Sequence, residues 1–427
     1  MRTWPRAENR RIAMPLLLEE DAKRPLPKMY RVRQSFRKDR LDDIEGTVHR
    51  ELNQETIRSR VRPGMKIALG VGSRGIRNLP RIVKCVIGEL KAMGAEPFIL
   101  AAMGSHGGGT LEGQLEVLRA YGITEQAMGV PVIANNDVTH LGQTSRGIQV
   151  YFDKLCLEDV DMVIPINRVK LHTDFVDNIQ SGMCKMLVIG LGHHRGCTAI
   201  HQADFSYFGD TLKEATRLIL SRAKVGFGVA IMENAYDQTS LIEAVPAENM
   251  LSREAELVEV SKQNMPLLMI PDIDVLVVQE IGKDISGNGF DPNILGKSLL
   301  LDRFVLPVPR INRMVLLDLS EATHGNAVGI GIFDVTTRKV FDQLNLETMY
   351  ANDIALGCLD DCKIPLVAAD EDEAIRVAIK VLRGNDPSRL KIVKIKNTLH
   401  LEEIQVSEDL LDVVAADPRL ELLGPVE

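Results

Sequence analysis

The chain has 427 residues, of which 45% are hydrophobic and 26% charged, with a formal net charge of −8. That balance is ordinary for a globular chain long enough for two or three domains, and it excludes a broad basic surface for nucleic acid. No apolar run reaches the ~18 residues that would make a membrane span, and six cysteines at this length do not make a disulfide scaffold.

The first apolar run, 14–18, is cut off by Glu19, Glu20 and Asp21, so no signal-peptide core forms and a cytoplasmic protein is expected. An amphipathic stretch over 40–61 predicts a helix. Residues 66–71 read as an apolar strand. Ile82, Val83, Val86, Ile87 and Leu90 recur at helical spacing over 78–93, with Asn78 as N-cap and Gly94 past the end. A second strand over 97–102 and a helix over 110–121 continue the alternation. Strands at 160–165 and 225–232 follow, with helices at 211–223 and 247–262.

This alternation predicts an α/β fold of two domains, each a mostly parallel sheet with crossover helices. Pro266 and Pro271 bracket a linker. The expected division is therefore a cofactor-binding domain over 1–268 and a C-terminal α/β domain over 269–427, with roughly the last 20 residues packing back on the first. Strands at 273–278, 314–319, 364–367 and 390–395 and a helix over 370–382 fill the second domain. Ligands of open α/β sheets lie beyond the carboxyl ends of the strands, so the cleft between the domains is the expected site.

Histidines concentrate where that rule points. Of nine in the chain, His172, His193, His194 and His201 fall within one short stretch. The turn after the first strand, Gly72-Ser73-Arg74-Gly75, offers an arginine that either is solvated or grips a carboxylate or phosphate. Gly104-Ser105-His106-Gly107-Gly108-Gly109 follows the second strand. It lacks both the Walker ending and the dinucleotide fingerprint, but it sets a histidine at a strand end beside glycines that let a ligand approach the backbone. His172 follows the strand at 160–165, so His106 and His172 can converge as paired acid/base groups for a racemase or epimerase. Lys185 lies in an otherwise apolar run, either emerging from a helix end or as a desolvated, nucleophilic amine. His201 follows it sixteen residues on. The same histidines admit a zinc hydrolase using His193, His194 and His201, although no carboxylate-spaced zinc motif accompanies them. Cys358 and Cys362 have no second pair and read as buried thiols. His324 reads as structural.

Together the Ser-Arg turn, the Gly-Ser-His loop, the later histidine before Gly182-Met183-Cys184-Lys185 and the downstream His201 resemble the nickel-pincer lactate racemase family. The segments Ile281-Gly282-Lys283-Asp284 and Glu321 to Asn326 share the likeness more weakly. The resemblance implies a 2-hydroxy acid racemase or epimerase that passes hydride to a nickel-pincer nucleotide. Lys185 would tether that nucleotide and His201, or alternatively His194, would ligate the nickel. His106 and His172 would be the catalytic proton-transfer pair. Ser73 and Arg74 would bind the cofactor, and Arg74 and Lys283 the substrate carboxylate. Implied partners are a small 2-hydroxy acid and cofactor-biosynthesis proteins, with neither nucleic acid nor membrane, and the oligomeric state stays open. Departures point away from lactate itself. The run from His172 to Lys185 is long, no Pro-Gly follows Lys185, and Glu280 stands three before Lys283. A non-catalytic nucleotide- or nickel-binding protein of the same fold is the alternative.

Overall fold

The structure, a computed structural model, describes residues 16–426 apart from 74, 302, 385, 387 and 388. The chain forms two compact units. One comprises 35–267 and 292–308, the other the N-terminal residues to 34, 268–291 and 309 onward. Among the described residues, no helix is long and apolar enough to cross a membrane.

The first unit is built on a six-stranded sheet. Its order is Val132–Ile133, Glu96–Ala101, Lys66–Val71, Met162–Arg168, Phe227–Glu233 and Thr239–Pro246. All neighbours are parallel except the last pair. Central strands such as Lys66–Val71 are buried on both faces, and so read as continuous apolar runs. The helix Leu79–Ala92 buries Leu79, Ile82, Val83, Val86, Ile87 and Leu90, the 3.6-residue stripe of its sequence. Asn78 precedes it in a left-handed conformation, and its amide donates to the Thr239 hydroxyl at 3.0 Å rather than capping the helix. Leu111–Ala120 is capped by Thr110, whose Oγ1 accepts from the Gly113 N–H at 3.1 Å.

The helix expected over 40–61 is two pieces, Ile44–Leu52 and Glu55–Arg58. Asn53 ends the first by folding its side-chain amide and its own N–H back onto the His49 carbonyl. A hairpin, Val138–Gln143 with Gln149–Asp153, packs against the helix His193–Ile200. Its first strand is half-exposed and polar, and its second buries Val150 and Phe152 only at alternate positions, which hid both from an apolar-run reading.

The second unit holds an eight-stranded sheet. Its order is Leu366–Ala368, Val335–Thr337, Arg310–Leu319, Asp272–Ile281, Ile392–Ile395, Glu403–Ser407, Met29–Gln34 and Leu420–Pro425. The first five are parallel and the last three antiparallel. The division therefore differs from a single cut at 268. Met29–Gln34 is clasped between two C-terminal strands, so the chain's start belongs with its end. The last strand pairs with Met29–Gln34 inside this unit, and 292–308 joins the other. Strand pairing between segments almost four hundred residues apart leaves no local sequence signal.

Candidate functional site

Parallel register aligns the carboxyl ends of three strands, with Val71 opposite Ala101 on one side and Ile166 on the other. The loops that follow carry Ser73, His106 and His172. Ser73 Oγ and His106 Nδ1 share a hydrogen bond, which ties the first loop to the second. Tyr121 donates to the Ser73 carbonyl at 2.7 Å and steadies that turn. Arg74 lies outside the described residues. His106 is exposed, and three glycines after it, Gly107, Gly108 and Gly109, all have φ of +66°, a conformation glycine adopts without strain. Only Gly108 faces open space. A Cβ on Gly107 would strike Gly113 and one on Gly109 would strike His194, so these two glycines serve close packing as well as turning.

His172 is held on several sides within its unit. Its N–H donates to Gln180 Oε1 at 2.7 Å, and its carbonyl accepts from Asn293 Nδ2 at 2.8 Å. Asn293 comes from the returning segment 292–308 and is buried. The ring packs on Phe175, centroid to centroid 4.4 Å. Its Nδ1 accepts from the Asp174 N–H at 3.1 Å, while its Nε2 lies 2.5 Å from Lys185 Nζ. The contact sets the Lys185 amine directly against the imidazole of His172.

Lys185 ends a one-turn helix, Met183–Lys185, that runs into a π-helix, Met186–Gly190, buried throughout. The lysine is half-buried, at the edge of this apolar block. Gly190 allows the block to abut the second strand's end, because a Cβ there would lie 2.6 Å from Met186 Sδ and 2.8 Å from the Ala102 carbonyl. Segments of π-helix occur often at functional sites.

His201 terminates the helix His193–Ile200. Its Nδ1–H donates to the Cys197 carbonyl at 2.7 Å, and the Cys197 sulfur lies 3.5 Å from the same nitrogen. No described residue partners Nε2. Committing one ring nitrogen to a carbonyl while leaving the other available is how protein histidines are prepared for a metal. Burial pushes the His201 ring down, yet the Cys197 thiol beside it more than compensates and leaves it raised. Burial likewise opposes ionisation of Cys197, but His201, with Ser105, leaves its thiol below the ordinary value. A charge at Lys185 acts the other way on the His201 ring, lowering it slightly. The Cys197 sulfur also lies 3.6 Å from Ser105 Oγ, one residue before His106.

The four candidate residues thus fall into two groups, His172 against Lys185, and His106 tied to His201 through Ser105 and Cys197. The neighbouring histidines do other things. His193 is fully buried and pairs with buried Asp153 at 2.6 Å, and His194 is exposed beside Gly109. Among the described residues, no three His, Cys, Asp or Glu side chains gather as a metal site, so a zinc centre built on His193, His194 and His201 does not form. Lys283 belongs to the other unit, where its ammonium donates to the Gly287 carbonyl at 2.7 Å and its N–H to Thr323 Oγ1 at 3.1 Å. Sequence reasoning missed Gln180, Asn293 and Cys197. Only Cys197 had a local signal, four residues before His201 on one helix face.

Comparison with known proteins gives a consistent picture. Residues 22–209 match the family described as the lactate racemase N-terminal domain. The lactate racemase apoprotein from Thermoanaerobacterium thermosaccharolyticum is a structural match, with a TM-score of 0.52 at 12% identity over 90% of this chain and 95% of that one. A structural-genomics protein from Thermotoga maritima matches with a TM-score of 0.51 at 14% identity over 86% of this chain and 99% of that one. No curated protein matches in sequence.

Proposed function

We propose that the chain is a lactate racemase-like protein, a racemase or epimerase of a 2-hydroxy acid, on the match of residues 22–209 to the lactate racemase N-terminal domain and on the fold it shares with the lactate racemase apoprotein. Lys185 would carry a nickel-pincer nucleotide and His201 would supply the nickel's protein ligand. The observation that carries this reading is the contact between Lys185 Nζ and His172 Nε2, which joins the proposed tether to a proposed proton carrier. The donor set fits such a group. His201 keeps Nε2 for a metal, and the Lys185 amine is presented at the edge of an apolar block. When bound, the nucleotide would supply a reversible hydride acceptor for a C2–H that is too weakly acidic to leave as a proton.

The protein's own residues then manage protons and position. A hydroxyl that loses hydride from its carbon must also lose its O–H proton, and a neutral imidazole takes it. His106 and His172 stand on loops after neighbouring strands, so each can serve one face of a planar keto acid. Ser73 fixes the ring of His106, while Asp174, Gln180 and Asn293 fix His172. Ser73 and Arg74 are proposed to hold the nucleotide, and Arg74 also to grip the substrate carboxylate by bidentate contact.

The test is to co-express the chain with cofactor-biosynthesis proteins, measure nickel and the mass of the Lys185 peptide, and follow C2 hydrogen exchange over a panel of 2-hydroxy acids. Stoichiometric nickel, added mass at Lys185 and exchange of at least one acid are expected. His106→Ala and His172→Ala should each cut exchange by roughly 10²–10⁴. If the loaded protein carries nothing on Lys185, the tether is wrong. If both variants exchange at the parent rate, the acid/base assignment is wrong.

A further inference from the structure

Helix Met250–Asn264 turns Met250, Leu257 and Val258 inward, and among them is an acid, Glu254, that is fully buried. No ion pair reaches it among the described residues, although burying a charge without a partner is costly. Its Oε2 accepts from the Cys184 N–H at 2.9 Å, the Met183 N–H is also directed at the carboxylate, and Oε1 has no other partner. These are the first amides of the one-turn helix that ends at Lys185. The residue before that helix, Gly182, has no side chain with which to cap it. A Cβ at Gly182 would lie 2.5 Å from the Glu254 carboxyl carbon, so the glycine makes the space the carboxylate occupies. A helix N-terminus favours an oxyanion acceptor, and here a residue about seventy positions away provides it.

We propose that Glu254 is a positioning residue of this site, a cap supplied from a distant helix that fixes the turn presenting Lys185 to His172. This deepens the proposed function, since it concerns the turn that bears the tether. The groups facing the carboxylate are the Met183 and Cys184 amides and the Cys184 thiol, which in turn meets Thr216 on helix Phe208–Arg222. None of them is a cation. Burial pushes Glu254 up to about 7, with the Cys184 and Met183 hydrogen bonds opposing. The cap therefore changes charge within the working range of a protein.

The experiment uses the full chain without cofactor, so its outcome is independent of racemisation. Lysines are trace-labelled with acetic anhydride from pH 5.5 to 8.5, and acetylation of Lys185 is read by mass spectrometry against exposed Lys154. Amide hydrogen exchange is followed over 181–190. In the parent, the Lys185 profile should carry a step near pH 7 beyond the lysine's own titration. Glu254→Gln keeps the shape and an acceptor oxygen, so it should retain amide protection and abolish the step. Glu254→Ala should speed exchange at Met183 and Cys184 about fivefold, the loss of one helix cap. A parent profile without the step, or the same step in Glu254→Gln, overturns the proposal. So does unchanged exchange in a folded Glu254→Ala.

Discussion

Glu254→Gln also makes a stability prediction whose size follows from burial. The carboxyl is raised from 4.5 to about 7 in the folded chain, with burial as the largest cause. A raised acid pKa means the folded state holds a proton that the unfolded state has released. That stabilisation is complete below pH 4.5 and is lost as pH rises through 7. Each unit corresponds to about 1.4 kcal/mol, so the ionised carboxylate costs about 3 kcal/mol at pH 8. Glutamine has no proton to lose and keeps an oxygen for the Cys184 amide. Relative to the parent, the variant should therefore gain about 3 kcal/mol between pH 4.5 and 8. Urea unfolding of both proteins at half-unit pH steps, fitted with a shared m-value, measures the difference and cancels every other titrating group. A difference that is flat with pH, or one that favours the parent as pH rises, refutes the reasoning. A gain of the expected sign would also mean that the chain keeps an acid where an amide is cheaper, which is the mark of a group retained for its charge.

Three more changes test the framework around Lys185 and His172. Gly190→Ala drives a methyl into the Ala102 carbonyl and Met186, so it should lower stability by about 1–3 kcal/mol in thermal melts. Asn293→Ala removes the donor to the His172 carbonyl, a loss of about 1 kcal/mol, and should raise hydrogen exchange over 170–175. His193→Ala strips buried Asp153 of one partner, leaving the Asn135 amide and the Cys156 N–H, and should cost about 1–3 kcal/mol by urea titration without altering nickel content. A His193 variant that folds normally but fails to hold nickel would instead make that histidine part of the metal site.

Strand-by-strand, the parallel core was legible because buried parallel strands are apolar on both faces. Residues 66–71, 97–102 and 160–165 betray themselves in that way, and the observed strands lie within three residues of those bounds at every end. The helix after the first strand was legible through its stripe and through Pro80 and Gly94 as punctuation. Antiparallel elements were not. Met29–Gln34 alternates charged and apolar residues, and its two partners lie at the far end of the chain. Nothing local distinguishes such a strand from a solvated segment, because its stability comes from a pairing that contributes only once the chain has folded.

The site divides along the same line. Histidines at strand ends are visible because a parallel sheet aligns the carboxyl ends of its strands, so a loop's place in the sequence also gives its place in space. What those histidines do depends on the second nitrogen of each ring, and that is decided by backbone groups. The Asp174 N–H occupies Nδ1 of His172 and leaves Nε2 to face Lys185, and the Cys197 carbonyl leaves the Nε2 of His201 open. Asn293 and Glu254 act from 121 and 70 residues away on backbone atoms, a carbonyl and an N–H that every residue possesses. No motif can encode a contact whose near end is the peptide bond itself. What the sequence does carry is the anomaly at the far end, an acid among the inward-facing apolar residues 250, 257 and 258 of a helix whose last turn also buries Ser261 and Asn264. Such a residue violates the pattern around it at a cost of kilocalories, and a polar group that breaks an amphipathic stripe marks where a distant backbone is being held.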